Sequence, residues 1–86
     1  MNKTLYVHNL SDGIGSQRLR EQLYLLFSTC GEVVKVSVNV RKNRGQAFVT
    51  MKTVDESNLA VGLLNGETFM GRTLSVEFGK QETLKL

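Results

Sequence analysis

With one cysteine and one histidine in 86 residues, the chain is poor in the side chains that most often bind metals or act as nucleophiles. Cys30 has no partner for an internal disulfide. Cys30 and His8 together fall well short of the four ligands of a structural zinc site. No metal or cofactor is expected. Cys30 stands beside apolar residues at an expected helix end, which points to a buried free thiol and a reducing compartment, cytosol or nucleus. The same scarcity removes any Ser/His/Asp or Cys/His arrangement. Gly13-Ile14-Gly15 is too sparse for a phosphate-cradling loop, with no lysine or arginine following before Arg18. An enzyme is therefore not the expected class. No apolar run reaches the roughly 18 residues of a membrane span. Met1–Thr4 leads straight into a strand pattern rather than a secretory signal. The net charge is only +3, which permits a nucleic-acid partner without requiring one. No linker, repeat or low-complexity segment divides the chain.

What is present suffices for one small domain. Hydrophobic residues make up 41% of the chain and charged residues 22%, a folded rather than a disordered composition. A chain this short buries about 60–65% of its unfolded surface, so modest stability is expected.

The apolar pattern changes period along the chain. Residues 4–8 alternate, with Leu5 and Val7 on one face and Tyr6 and His8 on the other. Residues 11–15 have turn composition, and Ser16 is the expected cap of a helix carrying Leu19, Leu23, Leu26 and Phe27 at helical spacing. Gly31 is the expected stop. Residues 33–40 alternate again, with Val34, Val36, Val38 and Val40 on one side and Lys35, Ser37 and Asn39 on the other. Arg41–Arg44 is a basic connection. In residues 46–51, Ala47, Val49 and Met51 face inward and Gln46, Phe48 and Thr50 outward. A second helix is expected with Asp55 as cap, a Val54–Leu59 staple, and a stripe of Leu59, Ala60, Leu63 and Leu64 ending at Asn65-Gly66. Gly62 within it suggests close helix packing. Thr68–Arg72 reads as a short hairpin or an irregular loop. Leu74, Val76 and Phe78 mark a last strand.

The order is β-α-β-β-α-β. The economical architecture is α+β and ferredoxin-like, a four-stranded antiparallel sheet with both helices on one face. The helices then cover Leu5, Val34, Val36, Ala47, Val49, Val76 and Phe78. The free face carries Tyr6, His8, Lys35, Ser37, Asn39, Gln46, Phe48, Thr50, Ser75 and Glu77. Two aromatic rings on adjacent strands of an otherwise polar, open face suit base stacking, worth about 1–3 kcal/mol per base. Polar neighbours such as Gln46, Ser37, Asn39 and Glu77 suit the reading of splayed base edges. His8 reads equally as a base or phosphate contact or as a solvated side chain.

Residues 44–51 and 5–10 carry a resemblance. The first segment is similar to the eight-residue signature of the RNA recognition motif, matching at Arg44, Gly45, Ala47, Phe48 and Val49 and departing at Gln46 and Met51. The second matches the family's six-residue signature throughout. The resemblance spans essentially the whole chain, with residues 1–80 as the domain and 81–86 as a tail or the start of a third helix. Arg44–Val49, with glutamine where an aromatic is usual, resembles the spliceosomal snRNP A and B-double-prime branch, as does Leu23–Ser28. That branch grips the apical loop of an RNA hairpin.

The resemblance implies a role for each matching position. Tyr6 and Phe48 would stack bases, Gln46 would contact a base, Arg44 would meet the loop-closing pair and Lys42 a phosphate. Asn9 and Asp12 would contact bases beside the first loop, and Glu77, Lys80 and Gln81 beside the last strand. His8 and Ser37 stand where the branch usually has asparagine and leucine. Gly13 and Gly15 replace lysines, and the connection at 41–44 is one residue shorter, so weaker affinity is expected from this chain alone. The B-double-prime branch, in its fungal single-domain form, is preferred because the chain ends after one domain. It implies U2 small nuclear RNA as partner, a leucine-rich-repeat A-prime protein on the helical face, and the nucleus as location. The snRNP A branch would imply U1 RNA instead. Tyr24 and Leu25, with Arg18 nearby, form either the protein-docking surface or a helix–helix edge. A third reading is a protein-interaction module of the same fold.

Overall fold

The computed structural model describes residues 2–11, 13–38 and 45–79. Six strands and two helices follow in order: β1 (Thr4–His8), α1 (Ser16–Phe27), β2 (Val33–Val38), β3 (Gln46–Met51), α2 (Val54–Leu64), β4 (Thr68–Phe69), β5 (Arg72–Thr73) and β6 (Ser75–Phe78). Four strands form an antiparallel sheet in the order β2-β3-β1-β6, and β4 and β5 form a separate hairpin. Both helices pack on one face of the sheet, α1 over β2 and β3, and α2 over β6, β3 and β1. This is the expected ferredoxin-like α+β architecture. Of the two forms open for Thr68–Arg72, the hairpin is the one adopted.

The core follows the alternation of the strands and the period of the helices. Leu5, Val7, Ala47, Val49, Met51 and Val76 project from the sheet onto Leu19, Leu23 and Phe27 of α1 and Ala60 and Leu64 of α2. Cys30 is a buried free thiol, as expected. Each fully buried Leu or Phe contributes about 1.5–3 kcal/mol through its removal from water.

Local details depart from the sequence reading at several places. Gly15, not Ser16, is the N-cap of α1. Its carbonyl accepts the Leu19 N–H at 2.9 Å, so Ser16 lies inside the helix and makes no side-chain cap. At the other end the Ser28 and Thr29 hydroxyls donate to the carbonyls of Tyr24 at 2.6 Å and Leu26 at 2.7 Å, closing the helix before Gly31 is reached.

The cap of α2 is Thr53 rather than Asp55. Its hydroxyl accepts the Glu56 N–H at 3.1 Å, and the Glu56 carboxylate accepts the Thr53 N–H at 3.3 Å. Asp55 and Glu56 thereby fall in the first turn, where the helix dipole favours negative charge. The buried face of α2 runs through Ser57, Ala60 and Leu64, with Val61 partly buried beside it. Leu59 and Leu63 fall on its flank, 49% and 56% exposed, so of the expected stripe Ala60 and Leu64 face the core and Leu59 and Leu63 do not. Among the described residues, none comes within 4 Å of where a Cβ of Gly62 would stand, which leaves close helix packing without support there.

The last departure is in β2. Register shifts between Val33 and Lys35, so Val33 joins the core and Val34 is 60% exposed. A bulge of this kind adds one residue and breaks the strict alternation. The readings of Asn39, Val40, Arg41–Arg44 and the tail lie outside the described residues.

Candidate nucleic-acid interface

Strand register sets the open face of the sheet into transverse rows. Tyr6 lies opposite Phe48 on one side and Glu77 on the other, and Phe48 lies opposite Ser37. The central row therefore reads Ser37, Phe48, Tyr6, Glu77 from β2 to β6. His8 lies opposite Gln46 and Ser75 in the next row. Thr4 lies opposite Thr50, and their hydroxyls meet at 3.0 Å. Six of the expected site residues, Tyr6, His8, Ser37, Gln46, Phe48 and Glu77, are thus brought onto one surface of two adjacent rows.

The rings touch one another. Tyr6 and Phe48 have centroids 5.5 Å apart with planes inclined at 37°. His8 stacks on Tyr6 at 4.7 Å with planes 19° apart. Its Nε2 meets the Glu77 carboxylate at 2.9 Å. Gln46 stands where an aromatic is usual and contributes no ring to this face. His8 supplies one, from the neighbouring strand. All three rings are half-buried, and among the described residues no helix covers them.

Gly45, the glycine of the eight-residue signature, has a backbone reason. Its φ is 75°, and a Cβ there would stand 2.9 Å from the Leu10 carbonyl oxygen. The Gly45 carbonyl accepts the Leu10 N–H at 3.0 Å. This close approach ties the exit of β1 to the entry of β3, the strands that carry the rings.

Asn9 has the left-handed φ of 65° that asparagine tolerates better than most residues. Its side-chain amide donates to the Thr73 carbonyl at 2.7 Å. Arg72 donates to the Asn9 carbonyl at 3.1 Å and to its side-chain oxygen at 2.9 Å. Both ends of the amide are engaged within the fold, so Asn9 pins the β4–β5 hairpin to the rim of the face. Arg72 and Thr4 were not singled out from sequence. Arg72 lies 63 positions from Asn9, and no local pattern links them. Asp12, Lys42, Arg44, Lys80 and Gln81 lie outside the described residues.

A second surface lies on the helical side. Tyr24 and Leu25 are 50% and 60% exposed. With Val34 at the bulge they border an open groove of about 660 Å³ between α1 and β2, flanked by Arg20, Glu21 and Lys35. Arg18 is exposed on the same helix but does not line the groove.

Comparison with known proteins follows the same lines. Residues 5–75 match the RNA recognition motif family. The U2 small nuclear ribonucleoprotein B'' of Dictyostelium discoideum is 37% identical over 83 residues, 95% of this chain and 34% of that protein. The probable U2 small nuclear ribonucleoprotein B'' of Schizosaccharomyces pombe is 37% identical over 81 residues, 93% of this chain and 73% of that protein. The U1 small nuclear ribonucleoprotein A of Drosophila melanogaster is 30% identical over 83 residues, 95% of this chain and 38% of that protein. The chain thus spans little more than a third of the Dictyostelium and Drosophila relatives. Among solved structures, the Mip6 RRM3 domain superposes with a TM-score of 0.78 at 32% identity, covering 91% of this chain and 93% of that one. The Rna15 RRM gives 0.75 at 22% identity, covering 94% and 86%, and attests the fold alone. The chain belongs to the RNA recognition motif family, and its relatives there include the spliceosomal U2 B'' and U1 A proteins.

Proposed function

We propose that this RNA-binding domain grips a hairpin loop of U2 small nuclear RNA within the spliceosome, in the nucleus. The observation that carries the reading is the contact of Tyr6 and Phe48 at 5.5 Å on the two central strands of the open face. Two such rings hold two unstacked bases, and Gln46 in the next row offers an amide to a base edge. Ser37 and Glu77 flank the rings at the two ends of the row. Arg44 and Lys42, by the family resemblance, add the loop-closing contact and a phosphate contact, and Asp12, Lys80 and Gln81, by the same resemblance, add base contacts. The domain works by binding and carries no catalytic role in this reading.

The B'' branch is supported by the Dictyostelium and Schizosaccharomyces relatives, each 37% identical against 30% for the Drosophila A protein. The A branch, with U1 RNA as ligand, is the second reading, supported by the Drosophila relative. The groove between α1 and β2, with Tyr24, Leu25 and Val34 at its border, suits a leucine-rich-repeat A-prime partner. It lies behind the sheet, so one domain can hold RNA and protein together.

The test is binding to hairpins carrying the loops of U1 and U2 small nuclear RNAs, with and without the leucine-rich-repeat protein. The expected result is preference for the U2 loop, strengthened by the partner. Equal weak binding to both, indifferent to the partner, would leave only a generic RNA-binding domain. No RNA binding together with a stable protein complex would mark a protein-interaction module.

A further inference from the structure

We propose that Arg72 contacts a phosphate of the bound RNA, and that Asn9 positions this arginine instead of meeting a base itself. The inference rests on the open face being the RNA-binding surface. Arg72 lies on β5, outside both signature segments and outside the four-stranded sheet. Asn9 directly follows His8, which stands opposite Gln46 and Ser75 in the end row of the face. The hydrogen bonds between Arg72 and Asn9 therefore bring a cation from a separate hairpin to the rim of the platform.

Those bonds use one edge of the guanidinium. Nε donates to the Asn9 carbonyl at 3.1 Å, and Nη2 donates to its side-chain oxygen at 2.9 Å. A guanidinium has five N–H donors in a planar fork. Two are engaged by Asn9, which leaves both N–H groups of Nη1 and one of Nη2. One N–H from each of these nitrogens points the same way, and such a pair fits two oxygens of a phosphate. Arg72 is exposed. Among the described residues the ion pairs are His8–Glu77 and Lys52–Glu32, so none of their carboxylates pairs with Arg72.

Asn9 makes the hold rigid. With its left-handed φ of 65°, its carbonyl and side-chain oxygen reach the same guanidinium, while its amide nitrogen donates to Thr73 at 2.7 Å. An arginine that grips a ligand from a free stem loses rotamer freedom on binding. Here that freedom is lost on folding, before RNA arrives. A strand whose bases stack on Tyr6 and Phe48 brings a phosphate with every nucleotide. One flanking the stack meets the fixed cation beyond the His8 row.

The test measures affinity for the U2 loop hairpin by fluorescence anisotropy between about 50 and 200 mM salt. One phosphate contact steepens the dependence of log affinity on log salt by about 0.7–0.9, or roughly threefold over that range. Arg72→Gln should therefore lose roughly threefold less affinity than wild type as salt rises. Arg72→Lys keeps the charge without the fork, and should retain the wild-type slope while binding more weakly. Asn9→Gly accepts the left-handed backbone and removes the side-chain hold. It should retain the slope, bind roughly twofold to tenfold more weakly, and cost nothing further on top of Arg72→Gln. Lys52→Gln, at the far end of β3, makes the same change in charge and should keep the wild-type slope. Folding of each variant is checked by circular dichroism and urea denaturation. An unchanged slope in folded Arg72→Gln, while Tyr6→Ala still weakens binding, would overturn the proposal and leave Arg72 as a pin of the hairpin. Equal slope changes in Arg72→Gln and Lys52→Gln would also overturn it, as an effect of net charge alone. Additive losses in the Asn9→Gly and Arg72→Gln pair would overturn the positioning role of Asn9. Absence of wild-type binding at every salt concentration would overturn the platform reading itself.

Discussion

Replacing Tyr6 or Phe48 by alanine should separate RNA binding from folding. Each ring lies on the face away from the core, and the two meet in a tilted contact with centroids 5.5 Å apart. Such a pair adds about 0.5–1.5 kcal/mol beyond its buried area, which sets the scale of the stability loss. The loss in binding is larger. A base stacked on a ring is worth about 1–3 kcal/mol, or roughly 5- to 150-fold in affinity. Tyr6 should be the more costly of the two, because His8 stacks on it and loses its support as well. The double variant should lose less than the sum of the singles, since the rings touch and share their bases. Tyr6→Phe keeps the ring and should bind close to wild type. Fluorescence anisotropy with the hairpin loops gives affinity, and urea denaturation gives stability. Two folded alanine variants with unchanged affinity would refute the stacking argument.

Other substitutions probe the supports of the face. Thr53→Ala removes half of the capping box on α2 and should lower stability by about 1 kcal/mol, read as a lower urea midpoint at unchanged slope; Thr53→Ser should retain most of it. Gly45→Ala forces a Cβ to 2.9 Å from a backbone oxygen at a φ of 75°, and should destabilise by about 1–3 kcal/mol while also weakening RNA binding, because it parts β1 from β3. Leu25→Asp, at a site 60% exposed, should change stability by less than about 0.5 kcal/mol and leave bare RNA binding intact. Its effect should appear in a pull-down of the leucine-rich-repeat partner, and full retention there would count against that surface.

The fold was legible because its signals are long and periodic. Alternation in residues 4–8 and 46–51 decided which side chains meet the helices, and Leu5, Val7, Ala47, Val49 and Met51 are buried accordingly. The misreadings are short-range. Thr53 and Asp55 are both good caps, and only the reciprocal bond from Glu56 decides between them. The α2 stripe misled because Leu59 and Leu63 are apolar yet flank the buried face, while Ser57 is buried by donating its hydroxyl to the carbonyls of Asn2 and Val54. In β2 the alternation from Val34 to Val38 put Val34 inward, although the doubled Val33-Val34 leaves two choices of face. Only pairing with β3 reveals the bulge, and it turns Val34 outward to border the groove beside Leu25.

The candidate site was legible in its membership but not in its pairings. Tyr6, Phe48, Gln46 and Glu77 could each be placed on the open face by counting along a strand. That Glu77 meets His8 rather than standing free depends on β1 lying between β3 and β6, a consequence of the whole topology. The pairing changes what each residue offers to RNA. A lone glutamate beside stacking rings would repel phosphate, and a lone histidine would be a solvated ring. Joined at 2.9 Å, and with His8 laid on Tyr6, they form one hydrogen-bonded unit against the stacking rings. Gln46 removed a ring from β3, and His8 returned one on β1, carrying ring nitrogens that a phenyl ring lacks. The stacking surface of this chain is therefore a product of β1 pairing with β3 on one side and β6 on the other.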